Sequence, residues 1–230
     1  MTIKIRTLEG PAEMAALSDV FARIWGFTDT QVLPKEVFIG ASIAGQQVLG
    51  AFDGPRLIGG SWGFLTWDGS ALGLHSHITG VLPPYRGGGG FALKMAQRDW
   101  CLARDITTVT WTFDPMIARN AAFNLRKLGA TGVAFRPDFY GPMSDAFNAG
   151  EPTDRIEIVW DLNAPPRPGP PAEAEAVEIP RDYLAFRETD RDAARQARAQ
   201  ATARMHELFE AGHRATWFDG KTSRYLFTRR

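Results

Sequence analysis

Two of the chain's four histidines, His75 and His77, stand two residues apart in LGLHSHITGVL. Imidazole is the side chain whose ordinary pKa, about 6.5, suits proton transfer near neutrality. On a regular strand residues i and i+2 point the same way, so both rings are expected on one face, together with Thr79 and Val81. A general base is one reading, with His77 as the base and His75 as its relay through a water; a pair of structural histidines bonded to neighbours is the other. Immediately downstream lies VLPPYRGGGGFALKMAQR (Val81–Arg98), in which Arg86 precedes four consecutive glycines, Gly87, Gly88, Gly89 and Gly90. Between an extended segment and a helix, such a run offers backbone N–H groups and the positive end of the helix dipole to an anion. Glycine leaves no side chain in the way of a bulky group, and Arg86 adds a fork of donors matched to phosphate. A pyrophosphate suits this nest; an unoccupied turn is the plainer alternative.

These residues need a frame. IKIRTL (Ile3–Leu8) alternates like a strand, and Pro11 to Trp25 has helical spacing, with Met14, Leu17, Val20, Phe21 and Ile24 on one side. A short helix is expected between Pro34 and Ala44, with Pro34 in its first turn. QQVLGAFD and RLIGGSWGFLTWD, joined around Asp53-Gly54-Pro55, read as a hairpin. A turn at Asp68-Gly69 leads into a third strand, which carries both histidines and ends at Pro83-Pro84. A helix from the glycines to about Arg104 follows, then the β-rich TTVTWTFD (Thr107–Asp114) and a helix opened by Pro115 and closed by Gly129. AFRPDFYG and RIEIVWDL read as the last strands of this unit. The order is mixed α/β, with a helical crossover at its centre. It also makes two common phosphate loops fit badly. The Walker pattern needs Gly-Lys-Ser/Thr where this run has Gly90-Phe91-Ala92, and a Rossmann fingerprint follows the first strand of a parallel sheet, not a third antiparallel strand.

Composition sets the outer limits. The 230 residues are 44% hydrophobic and 23% charged, ordinary values for a soluble globular protein. Lys plus Arg equals Asp plus Glu at 26 each, so the global basic bias of a nucleic-acid binder is absent. The opening MTIKIRTLEGPAEM lacks the apolar stretch of a signal peptide, and no run reaches membrane-spanning length; the simplest address is the cytoplasm, with no membrane partner. A single cysteine, Cys101, excludes an internal disulfide and a cysteine-built metal site. It reads as part of a polar helix stripe with Lys94, Gln97, Arg98 and Arg104. Beyond Leu162 a proline-rich stretch, 163–175, behaves as a semi-rigid linker. Thr189 to Ala211 then reads as a helix with Ala194, Ala197, Ala201, Met205 and Leu208 in one stripe, followed by a hairpin turning at Asp219-Gly220. Residues 176–230 are too few for an independent core. This extension is expected to dock on the domain formed by 1–162 or on a second subunit, as in a homodimer.

The pattern V-x-P-x-Y-R-G-x-G after a third antiparallel strand, here Val81, Pro83, Tyr85, Arg86, Gly87 and Gly89, resembles the acyl-CoA-binding motif of the GNAT acyltransferase superfamily. Asn120 to Gly129, NAAFNLRKLG after the TWTFD strand, is similar to that superfamily's second cofactor-side helix. More narrowly, HSHITGVLPPYRG, ALKMAQR, TWTFDPMIARNAAFNL, FYG and DR-I-VW together resemble a GNAT branch that also carries a C-terminal extension. The resemblance covers most of residues 1–162. It implies an α/β fold of α+β type: a mixed, mostly antiparallel central sheet flanked by helices, with the helix–hairpin extension added.

The resemblance further implies transfer of an acyl group from acetyl-CoA or another acyl-CoA to an amine, without a metal. Glycines 87–90 and Arg86 would hold the pyrophosphate, strand backbone from Thr79 to Val81 would pair with the pantetheine amides, and a backbone N–H near Val81 would face the oxyanion. Asn120 would contact the cofactor arm, its plainer reading being a helix-surface amide. The sequence departs from the family's pattern twice. Phe91 stands where a small residue is usual, which favours a loop shortened by one residue with Gly90 in that role. Leu125 stands where many relatives carry a tyrosine acid; Tyr140 in FYG could fill that role, or be half-buried packing. The acceptor is expected to be a small amine-bearing metabolite such as an amino acid, and the donor acetyl, or succinyl with Arg119 facing its carboxylate. The rival class is a catalytically degenerate acyl-CoA sensor.

Overall fold

The chain opens with strand β1 (Ile3–Thr7) and helix α1 (Gly10–Trp25). Met14, Leu17, Val20, Phe21 and Ile24 are all buried, as their helical spacing requires. Gly26, at φ 65°, ends the helix in the left-handed conformation that glycine adopts without penalty, its N–H donating to the Ala22 carbonyl. Outside, Arg6 and Glu13 form an ion pair that ties β1 to the first turn of α1. Pro34 caps α2 (Lys35–Ile43) from just outside, one position earlier than its expected place in the first turn.

Strands β2 (Gln47–Asp53), β3 (Arg56–Trp67) and β4 (Leu72–Val81) form antiparallel hairpins with their turns at Gly54 and Gly69, both at positive φ. The Asp68 carboxylate accepts from the backbone of Ser70 and Ala71, fixing the second turn. A 3₁₀ turn, Pro83–Tyr85, joins β4 to helix α3 (Gly89–Leu102). The computed structural model describes residues 3–26, 33–143, 145, 148, 150–165 and 167–229, so Pro166 of the proline-rich stretch lies outside the described residues. Its contacts gather the chain into two units, Met1–Val109 with Ser144–Ala149 and Thr110–Met143 with Gly150–Arg230. In the first, strand order is β1-β2-β3-β4, with the apolar faces of α1 and α2 packed beside Val48, Phe52 and Trp62 and that of α3 beside Leu49, Ala51, Ile58 and Val81.

Strand β5 (Thr108–Phe113) leads into the second unit. The helix expected from Pro115 to Gly129 is a short α4 (Ala118–Ala121) that widens into a π-helix, 122–127, before Gly129 at φ 72°. β6 (Thr131–Arg136) stops before FYG. That tripeptide sits in a turn entered through Asp138 at φ 41°, a correction to its reading as strand. β7 (Arg155–Asp161) pairs with β6. An unforeseen strand, β8 (Glu175–Glu178), follows the prolines. The tail helix expected over 189–211 is α6 (Arg191–Glu210); an unforeseen α5 (Tyr183–Thr189) precedes it, and Asp190 separates the two, capping α6 through the Ala193 N–H. β9 (His213–Asp219) and β10 (Arg224–Arg229) form the hairpin, and strand order in this unit is β5-β7-β6-β9-β10-β8. The architecture is mixed α/β with mostly antiparallel strands. Among the described residues no helix is long and apolar enough to cross a membrane.

The tail's contribution to the second unit is large. β9 pairs with β6 at Ala215 and Gly132, and Tyr225, fully buried, donates to the Pro115 carbonyl at 2.7 Å. Arg198 occupies the α6 stripe between Ala194 and Ala201 and is 3% exposed. Its guanidinium meets Asp114 at 2.8 Å, Glu151 at 3.5 Å and Asp154 at 3.6 Å, and the Tyr183 hydroxyl at 3.2 Å. Burial opposes the charge there, but the Asp114 carboxylate and the Tyr183 hydroxyl together outweigh it and hold the guanidinium's pKa above its ordinary value.

Candidate active site

The pairing of β3 with β4 slips at one place. Trp62 stands opposite Ile78 and Gly63 opposite Ser76, so His77 is the extra residue of a β-bulge. The bulge reverses the alternation beyond it. His75 stacks on Phe64 at 5.0 Å, and His77 meets the Trp62 ring edge-on at 4.9 Å; Trp62 and Ile78 belong to the cluster under α1 and α2. Thr79 and Val81 face the other way, toward α3. The expectation that all four residues share one face is therefore corrected: the two imidazoles do, 6.1 Å apart, and Thr79 and Val81 do not. His77 remains exposed at its outer surface, while the surroundings that desolvate the rest of the ring push the imidazole below the ordinary histidine value. It is therefore neutral, and able to accept a proton, at pH 7.

Strand β4 runs on into the glycines. The Tyr85 hydroxyl donates to Asp53 at 3.0 Å, pinning the loop against the end of β2. Gly88 stands just before α3, and Gly89 and Gly90 occupy its first turn, where N–H groups have no helical acceptor. None of the four glycines has positive φ, so backbone strain does not explain them. Space does. A Cβ at Gly87, Gly88 or Gly90 would meet nothing within 4 Å, leaving an open shelf in front of a fourteen-residue helix, whereas one at Gly89 would press on Val81 at 3.1 Å. Arg86 is exposed beside this shelf and, among the described residues, pairs with no carboxylate. Leu93 is buried and Ala96 packs beside Val81, the register expected of a loop shortened by one residue. These features fit a diphosphate: donors and positive dipole on one side, and no side chain where the oxygens would lie.

Behind β4 the sequence reading is overturned. The polar stripe of Lys94, Gln97 and Cys101 faces inward: all three are buried, with Lys94 only 4% exposed. They occupy i, i+3 and i+7, the same spacing that turns Leu93 and Ala96 inward. The Lys94 ammonium donates to Ser76 Oγ and Gln97 Oε1, both at 2.8 Å. Gln97 reaches Gln47 at 2.6 Å, and the hydroxyls of Ser61 and Ser76 lie 2.8 and 3.3 Å from Thr79 Oγ1. The network holds the Thr79 side chain inward, so what Thr79 and Val81 can offer a ligand is backbone.

Burial lowers the Lys94 ammonium to a pKa of about 7 and raises the Cys101 thiol to about 12. The unfolded chain thus binds the lysine proton more tightly than the folded one, and stability rises with pH from 7 upward. The raised thiol acts oppositely from about pH 8 upward, where an unfolded cysteine begins to ionise and the folded one does not. Between pH 7 and 9 the lysine should add about 2 kcal/mol to unfolding free energy. Urea unfolding at pH 7, 8 and 9 should show that slope in the wild type and lose it in Lys94→Met; equal slopes in the two proteins would assign the pH dependence elsewhere.

No family model and no curated protein matches the sequence. Solved structures do match the fold. The ribosomal-protein-S18-alanine N-acetyltransferase from Escherichia coli superposes with a TM-score of 0.57 at 16% identity, covering 74% of this chain and 99% of its own. The Salmonella typhimurium protein yncA, a putative acetyltransferase with its cofactor acetyl-CoA, gives 0.56 at 19% identity over 75% and 100% of the two chains. An aminoglycoside 6'-acetyltransferase type Ii gives 0.54 at 17% identity over 72% and 100%. The chain has the GNAT fold.

On this GNAT frame the remaining candidates are scattered. Asn120 is exposed on α4, its side chain on the helix surface, and Arg119 beside it is exposed too. Leu125 is completely buried in the π-helical turn and supplies no acid. Tyr140 is 44% exposed; its hydroxyl lies 3.2 Å from Thr112 Oγ1 at the end of β5, and the Arg155 guanidinium sits 5.3 Å above its ring. Asp114 is occupied by Arg198 and by the Met116 N–H at 2.8 Å, a structural role. Among the described residues no cluster of three or more His, Cys, Asp or Glu is placed to hold a metal ion. Lys94 is the residue the sequence reading misplaced, and its helical spacing carried the signal.

Proposed function

We propose that the chain is an acyl-CoA-dependent N-acyltransferase of the GNAT superfamily, transferring an acetyl or short acidic acyl group to a small amine. The observation that carries this reading is the continuity of one segment. The bulged histidine, the strand backbone of Thr79–Val81 and the open glycine shelf follow one another along β4 and the start of α3. In this reading Arg86 and the N–H groups of Gly87–Gly90 bind the pyrophosphate, the strand backbone orients the acyl arm, and His77 takes a proton from the acceptor's ammonium so that the neutral amine attacks the thioester. Tyr140 supplies a proton to the departing thiolate, and Asn120 contacts the cofactor arm. The fold neighbours act on a protein alanine or on an aminoglycoside, so fold alone does not select the acceptor. A small metabolite such as an amino acid is our choice, with a cytoplasmic setting.

Incubation with acetyl-CoA and succinyl-CoA against a panel of amines, with free thiol measured, tests the reaction. Thiol release that depends on an amine supports it. Tight CoA binding with no thiol release for any amine would favour the second reading, an acyl-CoA sensor, which the buried Leu125 recommends. Arg86→Ala should weaken CoA binding by about 1.5–3 kcal/mol, the scale of a charge-assisted hydrogen bond, without lowering the melting temperature. Calorimetry giving equal CoA affinity for mutant and wild type would remove the shelf from the proposal.

A further inference from the structure

In the second unit, a hollow of about 390 Å³ opens where β6, β9 and β10 meet the chain leaving β7. Arg167, Arg214 and Arg229 line it, with the hydroxyls of Thr131, Thr216 and Thr228 between them. Arg167 reaches across to Thr131 Oγ1, Arg214 donates to the His213 carbonyl at 2.9 Å, and Thr216 and Thr228 lie 3.4 Å apart. The Nε atoms of both Arg167 and Arg214 are buried without a hydrogen-bond partner, and among the described residues neither guanidinium pairs with a carboxylate. A desolvated guanidinium edge left open is an unfavourable arrangement that an anion would relieve. Burial without compensation also pulls Arg167 below its ordinary value, in contrast to Arg198, whose carboxylate partners raise it.

We infer that this hollow binds the phosphoryl group of a small molecule. Two open guanidinium edges and three hydroxyls offer more donors than the two oxygens of a carboxylate can use, whereas three or four phosphoryl oxygens can take them all. The volume leaves room for a small organic part beyond the phosphate. Asp161, exposed at the rim with Oδ1 accepting from the Asn163 N–H, would repel a second anion and accept from a ligand hydroxyl. None of these residues belongs to the glycine shelf or to β4.

Titration calorimetry of the full-length protein with inorganic phosphate, against chloride at matched ionic strength, is the test. Saturable binding is expected in the wild type. Arg167→Gln and Arg214→Gln should each weaken it by about tenfold or more. Should Arg214→Gln not fold, Arg214→Lys keeps the charge but loses the fork and should show the same loss. Glycerol 3-phosphate distinguishes the source: tighter binding than phosphate marks an ester, equal or weaker binding marks the free ion. The inference fails if the wild type shows no saturable phosphate binding. It fails also if the Arg167 and Arg214 variants bind as the wild type does.

Discussion

Replacing His77 by Asn is expected to lower kcat/KM by about 10²–10⁴, the usual worth of a general base, while CoA affinity stays unchanged. Asn keeps a hydrogen-bonding side chain of similar reach but cannot take up a proton. The bulge gives His77 its position: as the extra residue opposite Trp62 and Gly63, it turns its ring toward the Trp62 face and still reaches solvent. Its lowered pKa sets the pH behaviour. The base form persists below the usual histidine midpoint, so the acid limb of the wild-type kcat/KM profile should fall below about pH 6.5. In His77→Asn the histidine inflection should vanish, the residual rate rising with pH without it as solvent base takes over. His75→Asn should give a smaller loss, since His75 stacks on Phe64 and acts only through its neighbour. Near-wild-type activity of His77→Asn from pH 6 to 9 would move deprotonation to a water chain or another residue.

Deleting residues 163–230 is expected to abolish soluble, folded protein. The deletion removes β9, the strand bonded to β6, together with β10 and β8. It also strips away α6, whose Met205 and Leu208 are buried, and the fully buried Tyr225 and Phe227. At about 1.5–3 kcal/mol for each large apolar side chain buried, losing four of them is comparable with the roughly 5–15 kcal/mol that stabilises a typical domain. Asp114, Glu151 and Asp154 would lose Arg198, leaving buried carboxylates without their cation, a change that by itself destabilises by about 3–5 kcal/mol. Solubility, near-ultraviolet circular dichroism and mass in solution check this. A truncated protein with unchanged melting temperature and unchanged mass would show that the tail is dispensable.

Much of the frame was written in local patterns. The apolar spacing of Met14 to Ile24, the turns at Gly54 and Gly69, and the run from β4 through the glycines into α3 each follow from short-range rules that neighbouring residues obey together. The motif V-x-P-x-Y-R-G-x-G, placed after a third antiparallel strand, was enough to indicate the GNAT fold before any coordinates. What failed locally failed for identifiable reasons. Helix α5 was not foreseen, and Asp190 separates it from α6 because its carboxylate bonds the Ala193 N–H, a capping choice that periodicity does not see. Tyr140 lies in a turn because Asp138 takes positive φ.

The candidate site divides along the same line. Sequence alone determined that an arginine and four small residues stand between a strand and a helix, and that two imidazoles lie close along that strand. Only the tertiary structure decided which way they face. One extra residue at His77 reverses the alternation that follows, because strand side chains have a period of two and a bulge shifts it by one. Likewise a lysine, a glutamine and a cysteine read as a polar stripe form a buried network, since a charged side chain can go inward only where distant residues meet it. Ser76 and Gln47 do so here, the one from β4 and the other from β2 through Gln97. The partners that make such burial tolerable come from other strands, and no local pattern can report them.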